Sequence, residues 1–317
     1  MTNGFVLATD PMQPPHGLEG AVYAIGNFDG LHLGHRAVIT RAVAMARERA
    51  APSAILTFEP HPADFFAARP VVFRLTPARD KAGICASLGL DGAVVMRFDA
   101  SLAAMSADEF VARILVDRLG VGAVVVGWDF HFGKGRSGSP ATLAAAGLRH
   151  GFAVEIVAKV EDGGGEAGRV VSSSAIRKAL EEGDVGAAAR GLGRHYSIRG
   201  RVISGQRLGR TLGVPTANIA LEPTNRLAHG IYAVVARVEG RALPAVASFG
   251  TRPTVDDGAP LLEVHLLDFD GDLYGREMEV EFIEHIRDER KFDSIPLLAA
   301  EMERDKERAR AILAVKG

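Results

Sequence analysis

Residues Gly26 to His35 read G-N-F-D-G-L-H-L-G-H, a stretch that combines three glycines, two histidines and a carboxylate. These are residue types suited to a phosphate. Glycines at 26, 30 and 34 let an anion come close to the backbone, and an imidazole can donate a hydrogen bond to a phosphoryl oxygen. His32 and His35, three apart, share a face where a helix begins. Backbone N–H groups in a first helical turn have no internal partners and favour an anion there. The spacing leaves two other uses open: helix capping, or half of a metal site. Zinc would need further ligands, and the one cysteine, Cys85, lies in an apolar helical pattern.

A second group of such residues lies far downstream. Gly205 to Ile219 reads G-Q-R-L-G-R-T-L-G-V-P-T-A-N-I, rich in glycine and arginine. It lacks the Gly-Lys-Ser/Thr of a Walker loop, and so does the near miss at Gly127 to Lys134, where Gly135 replaces the hydroxyl residue. Thr216 and Asn218, two apart on an extended segment, point the same way and could offer oxygens to a nucleotide-borne magnesium ion. A purely structural turn-and-strand role fits that spacing equally. Glu263 stands in the apolar stretch Leu262-Glu-Val-His-Leu-Leu-Asp268. Facing inward it would have the raised proton affinity of a base for a substrate hydroxyl; facing outward it would be a solvated edge charge. Ser172-Ser-Ser-Ala-Ile-Arg177 places hydroxyls at a helix start with an arginine one turn in, either an anion-seeking surface or plain capping.

The elements that must hold these residues change character along the chain. From about residue 20 to 183 short apolar runs, near 22–28, 54–58, 93–96, 123–127 and 152–157, alternate with helical patterns near 36–50, 79–89, 106–119 and 139–150. Strands buried on both faces and separated by helices predict a doubly wound parallel sheet, with Gly26 to His35 at its carboxyl edge. Ser106 with Glu109, and Ser139 before Pro140, predict helix starts. Asp184 is expected to cap a short helix running to about Gly193. After Tyr196 the period becomes two, with runs near 196–204, 231–238, 242–249, 262–269 and 277–283. Glu239-Gly240 and Asp270-Gly271 are hairpin signals. Five or six antiparallel strands in about 100 residues close most readily into a small barrel. A capped helix from Ser294 to Val315, apolar along Leu298, Met302, Ala309, Ile312 and Leu313, ends the chain. The change of period sets the expected domains at 1–186 and 187–317.

Composition bounds the partners. Thirty-seven Lys and Arg against 39 Asp and Glu leave a net charge of −2, which favours neither nucleic acid nor an anionic membrane. A single cysteine permits no internal disulfide, and the sequence shows neither a secretory signal nor a run of about 20 apolar residues; a cytoplasmic protein is expected.

The motifs G-N-F-D-G-L-H-L-G-H (26–35), T-F-E-P-H-P (57–62), V-V-G-W-D-F-H-F-G (125–133), S-S-S-A-I-R (172–177), L-G-R-T-L-G-V-P-T-A-N (208–218), G-T-R-P-T (250–254) and E-V-H-L-L-D-F (263–269) occur in one order over nearly the whole chain. In this the sequence resembles the bacterial bifunctional riboflavin kinase/FAD synthetase family. The resemblance implies an amino-terminal Rossmann-like nucleotidyltransferase domain that adenylylates FMN. It implies a carboxyl-terminal β-barrel that phosphorylates riboflavin, with ATP as co-substrate of both, Mg²⁺ as cofactor, and flavins as substrates and products. Carried over by motif, His32 and His35 would stabilise the phosphates of ATP during adenylyl transfer. Gly26, Asn27, Phe28, Asp29, Gly34, Asp129, Phe130 and Gly133 would position nucleotide and flavin, and Ser173, Ser174 and Arg177 would close on the phosphates. In the barrel Thr216 and Asn218 would hold Mg²⁺ and ATP, Glu263 would be the base, Arg210 and the glycines around it, Gly209 among them, would form a mobile lid, and Pro215 would belong to the ligand-binding residues. Some relatives carry an arginine near Val170 that is missing here, and a threonine at the place of Ser174. The partners implied are riboflavin, FMN and ATP, with room for weak self-association. A protein with one silent module, or a flavin sensor without turnover, is the rival; a binder would have no need of Glu263.

Overall fold

The computed structural model describes residues 4–163, 168–203, 216–251, 260–269 and 271–316. The chain divides into two compact units, residues 1–173 and 174–317.

In the first unit six strands, β1 (Val6–Thr9), β2 (Val22–Ile25), β3 (Ser53–Glu59), β4 (Gly92–Arg97), β5 (Ala123–Gly127) and β6 (Ala153–Val157), form one sheet in the order β1-β4-β3-β2-β5-β6. Every pairing is parallel. Alternate residues of each strand feed opposite faces. Tyr23, Ile25, Leu56 and Val94 pack under Phe110, Ile114 and Leu143 on one side. Val22, Ala24 and Ile55 pack under Val38, Ile39 and Ala42 on the other. This is the doubly wound sheet expected from runs buried on both sides. The chain moves from β2 outward to β3 and β4, then returns to β5 on β2's other flank. The order therefore reverses beside β2, and the turn after β2 opens at the switch point where such sheets take ligands.

The helices of this unit are α1 (Leu33–Glu48), α2 (Pro62–Ala67), α3 (Ala78–Ser87), α4 (Ala100–Ala104), α5 (Ala107–Glu109) and α6 (Pro140–His150). The Ser106/Glu109 capping box forms, and the helix continues from it in π-helical form over Phe110–Arg118. Ser139 caps α6 reciprocally with Thr142, and Pro140 takes the first turn. Strand β1 is absent from the sequence-based expectation: it is four residues long, half-buried and on the sheet edge, too short for its alternation to stand out.

The second unit holds α7 from its second residue (Ser173–Glu181), α8 (Val185–Leu192, capped by Asp184), six strands and α9 (Ile295–Lys316). The strands β7 (Tyr196–Ile203), β8 (Ala217–Ala220), β9 (Gly230–Val238), β10 (Arg241–Thr251), β11 (Pro260–Leu266) and β12 (Glu277–Arg287) close into an antiparallel barrel in the order β10-β11-β8-β7-β12-β9. Glu239 and Gly240, both at positive φ, make the predicted hairpin turn. Asp270, of the other hairpin signal, lies outside the described residues. The closing helix forms as expected, but its seam is not wholly apolar. Ala309 and Leu313 are buried as predicted, while Leu298 and Met302 are only half-buried, and Glu301 and Asp305 sit at 3% and 2% exposure. Arginines explain this: Arg287 grips Asp305 at 2.6 Å, and Arg287, Arg290 and Arg304 surround Glu301. Buried carboxylates are tolerated when so paired.

Candidate active sites

In the first unit the turn after β2 is held from several sides. Asp29 is buried, and its carboxylate accepts from the Leu75 and Thr76 N–H groups, each at 3.0 Å. Asp29 thus pins segment 75–76 beneath the turn. Ser173 Oγ donates to the Asp29 carbonyl at 2.9 Å. Phe28 (φ +49) and Leu31 (φ +44) adopt the left-handed region, costly for such side chains and sustained only when the surroundings over-determine it.

His32 is the N-cap of α1, and its Nδ1 accepts from the His35 N–H at 3.2 Å. Capping is therefore one of its functions. It also fixes the ring: with Nδ1 an acceptor, the neutral imidazole carries its proton on Nε2. The two imidazoles stack with centroids 3.6 Å apart, tilted by 14°, and the Phe28 ring meets His35 edge-on at 5.3 Å. Gly34 makes room for this, since a Cβ there would lie 3.1 Å from His32 Cε1. Gly26 also faces the Phe28 ring, but a Cβ there would make only ordinary contact, 3.4 Å from Phe28 Cζ. Two oriented imidazoles at a helix N-terminus can stabilise charge developing on phosphoryl oxygens.

The segment after β5 approaches from the same edge of the sheet. Asp129 is exposed, Phe130 stacks on Phe132 at 5.4 Å, and Gly133 (φ +72) packs so closely on Ala107 that a Cβ would fall 2.7 Å from its N. Sequence reasoning missed what these rings join. Phe58, Phe65, Phe66, Phe98, Phe110 and Phe132 form a continuous aromatic chain with centroid separations from 5.4 to 6.3 Å. Phe66 is 70% exposed at its end. Phe58, Phe98 and Phe130 stand at or just past the carboxyl ends of β3, β4 and β5. The signal available was the phenylalanines at 58, 65 and 66, in and just after T-F-E-P-H-P. Ser174, exposed, and Arg177, half-buried, follow Ser173 on α7 in the second unit.

In the barrel, register brings distant residues side by side. Asn218 pairs directly with Glu263, and Glu263 with Ser248 on its other flank. Directly paired residues on neighbouring strands project to one face. Leu262, Val264 and Leu266 are buried, whereas Leu261, Glu263 and His265 are half-exposed. Glu263 therefore points away from the barrel interior, yet its neighbours half cover it: neither of the simple alternatives open to the sequence. Asn218 is buried, and its Oδ1 has no hydrogen-bond partner among the described residues. Thr216, two residues back, is half-buried. Gly209, Arg210 and Pro215 lie outside the described residues.

A second carboxylate joins this face. A Cβ at Gly250 would overlap Glu289 Oε1, so the glycine leaves space that the Glu289 carboxylate fills. Burial, with the charge of Glu263 adding to it and His229 opposing, holds Glu289 above the usual carboxylate range. The sequence offered Gly250 only as the first letter of G-T-R-P-T.

Among the described residues no group of three or more His, Cys, Asp and Glu is arranged to hold a metal ion, and no helix is long and apolar enough to cross a membrane. The family model for FAD synthetase matches residues 15–175, and that for riboflavin kinase matches residues 192–313. The bifunctional riboflavin kinase/FMN adenylyltransferase of Pseudomonas fluorescens is 43% identical over 304 residues, covering 96% of each chain. The protein of the same description from Escherichia coli K12 is 41% identical over 293 residues, 92% of each chain. A solved structure described as a macrolide-efflux protein from Streptococcus pneumoniae superposes with a TM-score of 0.82 at 30% identity, covering 95% of this chain and 98% of that one.

Proposed function

We propose, from the premise that this chain belongs to the bifunctional riboflavin kinase/FMN adenylyltransferase family, that it divides two ATP-dependent steps between its two halves. The chain is a riboflavin kinase and an FMN adenylyltransferase: it phosphorylates riboflavin to FMN, then joins AMP from ATP to FMN, giving FAD and pyrophosphate. Residues 1–186 carry adenylyl transfer and residues 187–317 the kinase, a boundary that falls between the two matched stretches. The observation that carries the division is the barrel register, which sets Asn218 across from Glu263 within the half matched by riboflavin kinase.

In the kinase half Glu263 accepts the proton of the ribityl 5′-hydroxyl as that oxygen attacks the γ-phosphorus of ATP and ADP leaves. The buried, unpartnered Oδ1 of Asn218 is a hard oxygen donor of the kind Mg²⁺ takes, and with Thr216 it would hold the cation that accompanies ATP. Bound there, the ion would neutralise charge on the transferring phosphoryl group.

In the amino-terminal half a phosphate oxygen of FMN attacks the α-phosphorus of ATP. Pyrophosphate leaves, and no base is required because the attacking phosphate is already ionised. His32 and His35 donate to the phosphates as charge builds. Gly26, Asn27 and Gly34 let the nucleotide approach. The aromatic chain ending at Phe66, with Phe130 beside Phe132, supplies planar apolar surface for the flavin ring. Asp129 lies exposed beside it, and Ser173 steadies Asp29. Buried Cys85, its thiol pushed up to about 12 by burial, takes no part.

With riboflavin, ATP and Mg²⁺ the purified protein should accumulate FMN first and FAD second, separated by chromatography. His35→Ala should lower FAD formation by roughly 100-fold or more while sparing FMN. Glu263→Gln should lower FMN formation at least about 100-fold while sparing FAD made from supplied FMN. Loss of both steps from either substitution would refute two separate centres.

A further inference from the structure

Lys81 of α3 has only 5% of its side chain exposed, a rare place for an ammonium, and the chemistry above does not use it. Its Nζ donates to the Asn27 carbonyl at 3.0 Å, to Glu59 Oε1 at 3.2 Å and to Thr57 Oγ1 at 3.3 Å. All three ammonium protons are thus placed. Thr57 Oγ1 donates in turn to the same Asn27 carbonyl at 3.1 Å.

One explanation is that Lys81 neutralises Glu59. Arg74 already does so: it binds the two Glu59 oxygens at 2.8 and 3.3 Å, a fork-to-fork geometry that satisfies a carboxylate. What Lys81 and Thr57 add is a pair of bonds to one backbone carbonyl. That carbonyl belongs to the peptide entering Phe28, whose φ of +49° is one of the two strained steps of the turn. The Phe28 ring meets His35, and His35 stacks on His32. A continuous chain of contacts therefore runs from the ammonium to both imidazoles.

We propose that Lys81 is a positioning residue for adenylyl transfer, locking the Asn27 peptide so that Phe28 holds the His35 and His32 pair in its working orientation. This rests on the reading that the histidines serve that step.

The test uses the full chain, whose kinase activity is an internal control. Lys81→Met should lower kcat for FAD formation from FMN by roughly 10- to 100-fold, as expected for displaced catalytic groups. KM for ATP should stay within about threefold and FMN formation within about twofold. In a His35→Ala background the same substitution should add less than about threefold, because both act through one ring; a general structural defect would instead multiply. Should Lys81→Met not fold, Thr57→Val, which keeps the shape and removes the hydroxyl, decides by the same measurements, with a smaller drop expected. A kcat for FAD formation within twofold of wild type, or full multiplication with His35→Ala, overturns the inference. If His35→Ala itself leaves FAD formation intact, the underlying reading fails instead.

Discussion

The turn after β2 and the outer face of the barrel each gather the residues proposed above to handle phosphate, but in opposite ways. In the turn the chemistry-bearing residues are consecutive, and distant segments serve only to hold them: Leu75 and Thr76 bind Asp29, Lys81 and Thr57 bind Asn27, Ser173 binds the Asp29 carbonyl. On the barrel the residues themselves are distant, and strand register alone puts Asn218, Glu263 and Ser248 in one row, with Glu289 over Gly250 nearby. A local site is robust in composition and fragile in conformation. A register-built site is the reverse, because a one-residue slip would turn Glu263 into the barrel interior.

The largest expected effect tests what keeps each scaffold in place. Arg287 is the cation on buried Asp305, and Arg287→Met leaves that carboxylate without its charge partner. A loss of about 3 kcal/mol or more is expected for breaking such a pair. Lys81→Met should cost less, since Arg74 remains on Glu59. Heating each variant and assaying residual FMN and FAD formation separately reads the two halves in one sample. The comparison breaks if Arg287→Met lowers the survival of FAD formation but not of FMN formation.

Next in size is Gly250→Ala. The added methyl collides with the Glu289 carboxylate and moves it from its place near Glu263. Kinase turnover should fall roughly tenfold, as a displacement near reacting groups commonly does. FAD formation from supplied FMN should not change. Equal kinase rates in wild type and variant would show that the carboxylate has no part in the site.

These contrasts also explain what the sequence disclosed. The turn was legible because its glycines, histidines and following helix are contiguous, and the capping boxes at Ser106 and Ser139 were legible for the same reason. The alternation Met278, Val280, Phe282 against glutamates announced a barrel strand, and those three are buried. What could not be read depends on partners far along the chain. Nothing in the helical pattern near 79–89 singles out Lys81; its role depends on Asn27 and Glu59 being placed beside it. The closing helix was expected to bury an apolar seam; that Glu301 and Asp305 share it depends on arginines at 287 and 290 from another element. Glu289 had no visible reason to matter before Gly250 was set beneath it. Periodicity reports which face a residue occupies, not what the facing element brings.

The smallest effect concerns Asp64, which ties the loop after α2 to the same network as the turn. Burial pushes its proton affinity up, but the Val71 and Val72 N–H groups and the nearby Arg74 outweigh that and hold the carboxyl below its ordinary range. A carboxyl depressed in the folded state contributes stability above its unfolded value, near 3.8, and loses it as the pH falls through the folded value. Asp64→Asn keeps Oδ1, the oxygen that both N–H groups reach, and removes only the charge. The expected cost at pH 7 is on the order of 1 kcal/mol. The gap between wild type and variant should stay constant from pH 7 down to about pH 5 and close below pH 4, because protonation then makes the two side chains alike. Survival of FAD formation after timed denaturant exposure at each pH measures that gap. A gap that persists undiminished at the acid end would mean that Asp64 acts through shape, not charge.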